Sequence, residues 1–183
     1  IAALKRRPFV FEVRDLWPDS IVRLGQLEDR RLIRIREWIE TRLYRRAAGI
    51  VVNTRAFIDH IVARGVPRER IELIYNGIDA TLFAPRPRDV ALLRRHGLED
   101  RWLVAYVGTL GLAHGLTTVL DAAERLRDRT DLVFLFIGDG ADRERLEGEA
   151  RRRGLDNVRF LGMLPRAEVP AWIASIDCLL VML

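Results

Sequence analysis

The chain has 183 residues, 49% hydrophobic and 31% charged, enough for one full domain or parts of two, and no apolar run nears the ~20 residues of a membrane-spanning helix. One cysteine, Cys178, excludes a disulfide framework, and His60, His96 and His114 lie too far apart for zinc spacing, so no metal site is read. The net charge of +5 is local: seven arginines (30, 31, 34, 36, 42, 45, 46) against Glu37 and Glu40 give 7 − 2 = +5 between Arg30 and Arg46, the rest is neutral, and a nucleic-acid coat is disfavoured.

Ile1-Ala2-Ala3-Leu4 reads as if inside a helix, and the far end, Asp177 to Leu183, reads as an apolar strand. Natural termini seldom stop on such a strand, so an internal fragment of a longer protein is expected. Pro8 to Val13 reads as a strand, followed by a loop through Arg14-Asp15-Leu16-Trp17-Pro18-Asp19-Ser20, because Pro18 disfavours helix at Trp17. Ligands of open parallel sheets collect at strand ends. Arg14 and Asp15 therefore either pair with each other or face a ligand.

Residues 29 to 47 read as a helix, with Leu32, Ile35, Ile39, Leu43 and Ala47 as its buried stripe and arginines beside it. A basic amphipathic helix suits an anionic membrane surface; the plainer alternative is a solvated outer face on a packing helix. Gly49 to Val52 is a strand, and Arg55 to Ala63 a helix capped by Asn53 or Thr54 and closed by Gly65. Arg70 to Tyr75 is a third strand before the Asn76-Gly77 turn. Pro85 and Pro87 mark a stiff connector, and Asp89 to His96 a short helix. The domains read as 1–84, a linker with short helix at 85–100, and 101–183.

The stretch 102–127 carries the most information. Leu103 to Val107 is apolar and β-branched, as a strand buried on both faces would be. It breaks at Gly108, with Gly111 and Gly115 in the same loop. From Leu116 the period changes, and Leu116, Val119, Leu120, Ala123 and Leu126 make a helical stripe. A glycine loop feeding a helix start brings N–H groups and partial positive charge together, which suits a phosphate or diphosphate. The spacing is neither G-x-G-x-x-G nor a Walker A loop, and a ligand-free strand-to-helix turn stays open as the alternative. Asp131 to Ile137 is the next strand, followed by Gly138-Asp139-Gly140. A charged helix from Asp142 to Arg153, a strand from Asn157 to Leu161 and a helix from Pro165 to Ser175 complete the alternation. Strand and helix alternating at this interval indicate βαβ units and a parallel sheet.

The order VRDLWPDS (13–20), NGID followed by Phe83 (76–83), VAYVG (104–108), GDG (138–140) and VRFLGMLP (158–165) resembles the GT-B glycosyltransferases of family 4. The VRDLWPDS variant is most similar to the subgroup that transfers amino sugars such as N-acetylfucosamine in bacterial surface-polysaccharide synthesis. The resemblance implies an α/β fold of two facing Rossmann-like domains, the first and the end of the second truncated. It implies retaining transfer from a nucleotide-sugar donor, UDP-linked, to a lipid-linked or polysaccharide acceptor, with no further cofactor and no metal. It places Gly108, Thr109, Leu110, Gly111, His114 and Gly115 at the donor diphosphate, and Gly138 to Gly140 with Gly162, Met163 and Leu164 beside the nucleoside. Arg14 and Asp15 stand at the catalytic positions of the acceptor side.

Three positions depart from the family pattern, and at the first of them Arg14 stands where many members carry histidine. His114 stands where lysine is common and Leu110 where arginine is frequent. His114 either turns cationic beside a diphosphate or serves as a cap or solvent-facing side chain. The family's E-x7-E element would lie beyond Leu183, so the fragment alone is expected to be inactive. The expected location is cytoplasmic, peripheral on the inner membrane face. The alternatives are a GT-B sugar-nucleotide epimerase, a dinucleotide-binding oxidoreductase with Asp139 on a ribose, and a basic-helix binding module without catalysis.

Overall fold

The computed structural model describes residues 5–16 and 29–182. The helical opening at 1–4, the loop Trp17-Pro18-Asp19-Ser20 and Leu183 lie outside the described residues. The chain divides into two compact units, Ile1–Ile78 and Asp79–Leu183.

The first unit runs β1 (Val10–Val13), α1 (Arg30–Arg46), β2 (Gly49–Val52), α2 (Arg55–Ala63), a 3₁₀ turn and β3 (Ile71–Leu73). The strands are parallel in the order β1-β2-β3, with Val13, Val52 and Leu73 in register. Each strand is joined to the next by a connection with a helix, as parallel neighbours require. Val13, Ile50, Val52, Ile58, Ile61 and Ile71 fill the core.

Helix α1 keeps the predicted period but turns a different face to this core. Of the expected stripe Ala47 is buried, but Leu32, Ile35, Ile39 and Leu43 are 39–54% exposed, and Glu40 and Tyr44 are buried in their place. At 3.6 residues per turn the buried set lies roughly a quarter turn from the expected stripe. Tyr44 takes the core position because its ring packs near Phe11, with centroids 5.7 Å apart. Glu40 is tolerated inside because the Tyr44 hydroxyl donates to it at 2.6 Å and Arg64 lies 3.3 Å from its other oxygen. A buried carboxylate without such partners would be costly.

The second unit runs α3 (Val90–Arg95), β4 (Trp102–Val107), a 3₁₀ turn (Leu112–His114), α4 (Thr117–Arg125), β5 (Leu132–Ile137), α5 (Arg143–Arg153), β6 (Val158–Gly162), α6 (Val169–Ser175) and β7 (Cys178–Leu180). Its four strands are all parallel in the order β6-β5-β4-β7. Side chains alternate across the sheet with period two, as a strand demands. Val104, Tyr106, Phe134 and Phe136 join one core with residues of α4 and α5. Leu103, Ala105, Val133 and Leu135 join the other with Leu92, Leu93 and Trp172. The short helix at the connector thus packs into this second core. In the stripe of α4, Leu116, Val119, Leu120 and Ala123 are buried, but Leu126 lies past the helix end and is 40% exposed. The last strand is shorter than the sequence pattern suggests and ends at Leu180.

The chain leaves β4 toward β5 on one side and returns to β7 on the other. The order of strands therefore reverses at β4. In open α/β sheets such a reversal opens a crevice at the carboxyl ends of the strands. The glycine loop that follows β4 starts at this point.

Candidate functional site

Beyond the strand ends of the second unit, three loops lie side by side. The Gly108 N–H donates to Ile137 O at 2.9 Å, the Leu110 N–H to Asp139 O at 2.9 Å and the Asp142 N–H to Leu110 O at 2.9 Å. The Gly138 N–H donates to Gly162 O at 2.8 Å. The parallel ladder is thus continued past the sheet by backbone alone. This explains the glycines of the second loop. A Cβ at Gly138 would stand 1.9 Å from Gly108 O, and one at Gly140 would stand 2.4 Å from Leu110 O. Both distances are far inside contact, and Gly138 also has φ of +134°.

Leu110 sits differently from a ligand-facing loop residue. Its side chain is fully buried in the core beneath the loop. Its N–H and C=O are both engaged by the second loop. It fastens the loop from inside and offers no group outward. Thr109 is exposed and Gly111 and His114 are half-buried. The Gly111 N–H donates to Thr109 O at 3.0 Å and also to His114 Nδ1 at 3.3 Å. In that second bond Nδ1 is the acceptor, so this ring nitrogen is taken up by the loop itself. His114 therefore closes the loop locally, near the Tyr106 ring with centroids 6.0 Å apart. The Tyr106 hydroxyl donates to Thr109 O at 3.0 Å, and burial pushes the Tyr106 phenol above its usual pKa.

Gly115, with φ of +57°, turns the chain into α4. Among the described residues no side chain caps α4. The N–H groups of Thr118 and Val119 are taken by Gly115 O and Leu116 O. The amides of Leu116 and Thr117 thus open the first turn, where an anion is favoured by the helix dipole.

At the second loop, Asp139 accepts from Gly140 N–H at 2.8 Å and lies 3.3 Å from Arg143 Nη1. Asp139, Gly140, Ala141, Arg143, Glu144 and Glu147 line an open cleft of about 530 Å³. The Arg143 guanidinium reaches over Gly162, 3.2 Å from where a Cβ would stand. Of the third loop, Met163 is 76% exposed, whereas Leu164 packs against the core on the α3 and α6 face.

Arg14 and Asp15 belong to the first unit, just past the end of β1. They do not pair with each other among the described residues. Arg14 lies 3.8 Å from Glu12 and reaches Asn76 Oδ1 at 3.4 Å, both exposed contacts. Asp15 borders a mostly apolar cleft of about 230 Å³ with Phe11, Val13, Ile39, Glu40 and Tyr44. The same rim carries Arg55, whose Nε donates to the Tyr75 hydroxyl at 3.2 Å. Thr54 is the N-cap of α2, but neither it nor Asn53 makes a side-chain cap bond, and Asn53 Oδ1 is buried with no hydrogen-bond partner among the described residues. Sequence reasoning did not select Arg55, Tyr75 or Asn76 as site residues. Their position directly after strands β2 and β3 was the signal available.

Residues 1–77 match the model of a glycosyl transferase 4-like domain and residues 91–182 that of the glycosyl transferases group 1. WcaI of Escherichia coli, provisionally named a colanic acid biosynthesis glycosyl transferase, is 33% identical over 131 residues, 70% of this chain and 32% of the relative. The 2-deoxystreptamine glucosyltransferase of Streptomyces kanamyceticus is 31% identical over 148 residues, 78% of this chain and 38% of the relative. The crystal structure of Anabaena HepE in complex with UDP and glucose superposes with a TM-score of 0.74 at 22% identity, over 97% of this chain and 47% of HepE. The chain thus spans about a third of the length of these curated relatives and just under half of HepE.

Proposed function

Since this chain belongs to the GT-B glycosyltransferases of family 4, we propose that the whole protein moves a sugar, with retention, from a UDP-linked donor to a lipid-linked or polysaccharide acceptor in bacterial cell-surface glycan synthesis. The observation that carries this reading is the glycine loop after β4, which stands where the strand order reverses and feeds the uncapped start of α4. Two neighbours support it. HepE was crystallised with UDP-glucose, and WcaI is named for colanic acid synthesis. The amino-sugar subgroup is the narrower form of the proposal.

When the glycosidic bond of a nucleotide sugar breaks, negative charge grows on the departing diphosphate. Donors fixed in advance stabilise that charge without reorganising at the moment of reaction. The first turn of α4 supplies amides and a dipole for this purpose. The loop-to-loop ladder holds them still. Gly138, Gly140 and the cleft under Arg143 border the nucleoside in this scheme. Arg14 and Asp15 serve the acceptor side, where Arg14 holds charge but is a poor proton carrier because it hardly deprotonates. The donor is a substrate, and the scheme calls for no resident cofactor.

Helix α1 is the proposed contact with an anionic membrane surface. It presents exposed Leu32, Ile35 and Trp38 beside Arg31, Arg34, Arg42 and Arg45, which is the composition of an interfacial helix. Among the described residues no helix is long and apolar enough to cross a membrane. Charge reversal of those four arginines abolishes sedimentation with anionic liposomes under this reading, and unchanged sedimentation dismisses it.

The donor reading is tested by melting the chain with UDP, UDP-glucose and NAD. UDP and UDP-glucose raise the melting temperature and NAD does not. A rise with NAD alone turns the assignment toward a dinucleotide-binding oxidoreductase.

A further inference from the structure

Asp142 stands just before α5 and is only 2% exposed. A carboxylate this buried needs a partner, and its partner is Arg145, with Nε at 2.6 Å and Nη2 at 2.8 Å from the two oxygens. The same Nη2 donates to Thr117 Oγ1 at 3.0 Å, and Thr117 is the first residue of α4. The Asp142 N–H meanwhile holds Leu110 O at 2.9 Å. One acidic residue thus ties the first glycine loop through its backbone and the start of α4 through Arg145. An ordinary surface pair three residues apart on a helix does neither.

The placement of charge adds a second argument. Arg145 brings a cation to the positive end of α4. That is unfavourable for a helix by itself and becomes favourable when an anion occupies the end. The buried Asp142 offsets part of this repulsion while leaving Arg145 half exposed, with a side-chain relative exposure of 51%.

We propose that Asp142 and Arg145 are positioning residues for the donor diphosphate, fixing the first turn of α4 against the glycine loop and setting a positive charge beside it. The proposal rests on the donor-site reading above. It assigns a role to two residues of the segment Ala141-Asp142-Arg143-Glu144-Arg145, which reads in the sequence as an ordinary charged helix start.

The test compares UDP with uridine, which lacks both phosphates, on the 183-residue chain by titration calorimetry and competition. Arg145→Gln weakens UDP about tenfold, the order expected when one charge beside a helix end is lost, and leaves uridine unchanged. Arg145→Lys recovers part of the UDP affinity because it restores the charge without the fork. Asp142→Asn follows Arg145→Gln, with its melting curve recorded to confirm folding. Equal losses for UDP and uridine, or no loss for either in Arg145→Gln, overturn the proposal and leave the donor reading standing. A wild-type chain that binds no UDP overturns both.

Discussion

Beyond β4 and β5 the loops are bonded backbone to backbone, and Gly138 and Gly140 are in place because another main chain passes within contact. Beyond β1 and β3 the rim is made by exposed side chains, with Arg14 reaching Asn76 at 3.4 Å. Both ends belong to parallel sheets, but β4 and β5 are wholly uncharged whereas β1 and β3 each carry a glutamate. The difference shows how a rim can be either a rigid cradle or an adjustable surface. A cradle that must meet a charge developing at one point gains from rigidity. A rim of exposed side chains suits a partner whose position varies.

The contrast is broken most severely at Gly138. Alanine there collides with Gly108 O, and the second unit loses on the order of 4 kcal/mol, at the extreme of single substitutions. Urea unfolding of the chain measures it. Leu110→Ala, which removes the buried fastener of the first loop, costs about 3 kcal/mol by the same measurement. In the first unit the loss is smaller. Tyr44→Phe deprives buried Glu40 of its 2.6 Å hydrogen bond and costs about 1–2 kcal/mol. Arg14→Ala leaves stability within about 0.5 kcal/mol, as expected of an exposed rim side chain. The smallest effect lies at the opposite pole of the second sheet. Arg129 beside Asp131 holds that carboxyl at about 2, below its ordinary 3.8. The contribution of this pair is complete above pH 3.8 and is lost as pH falls through about 2. Acid titration of stability shows a slope in that window that Asp131→Asn reduces.

Much of this was legible in the sequence, and the reasons are particular. The change from a continuous apolar run to a period of 3.6 across residues 103–126 marked strand, loop and helix where the structure has them. The family resemblance followed from the order of motifs. Four features were not legible. Leu110 looks like any loop residue, because nothing local says that its side chain turns into the core. Gly138 and Gly140 suggested a ligand, whereas a neighbouring backbone some thirty residues earlier in the chain already requires them. The stripe of α1 was read with the right period and the wrong phase. Tertiary packing of Tyr44 on Phe11, and two partners for Glu40, outweighed four aliphatic side chains. Arg145 was invisible for a similar reason, since its reach to Thr117 crosses between helices.

The central claim is that the loop from β4 to α4 receives the diphosphate of an activated sugar. Backbone amide signals of the ¹⁵N-labelled chain, followed during UDP titration, test it most directly. The account predicts that the largest shifts fall on Gly108, Thr109, Gly111 and Gly115 to Thr117, with a second group at Gly138 to Ala141. Saturable shifts that leave these amides in place and gather on other surfaces of the second unit would contradict it.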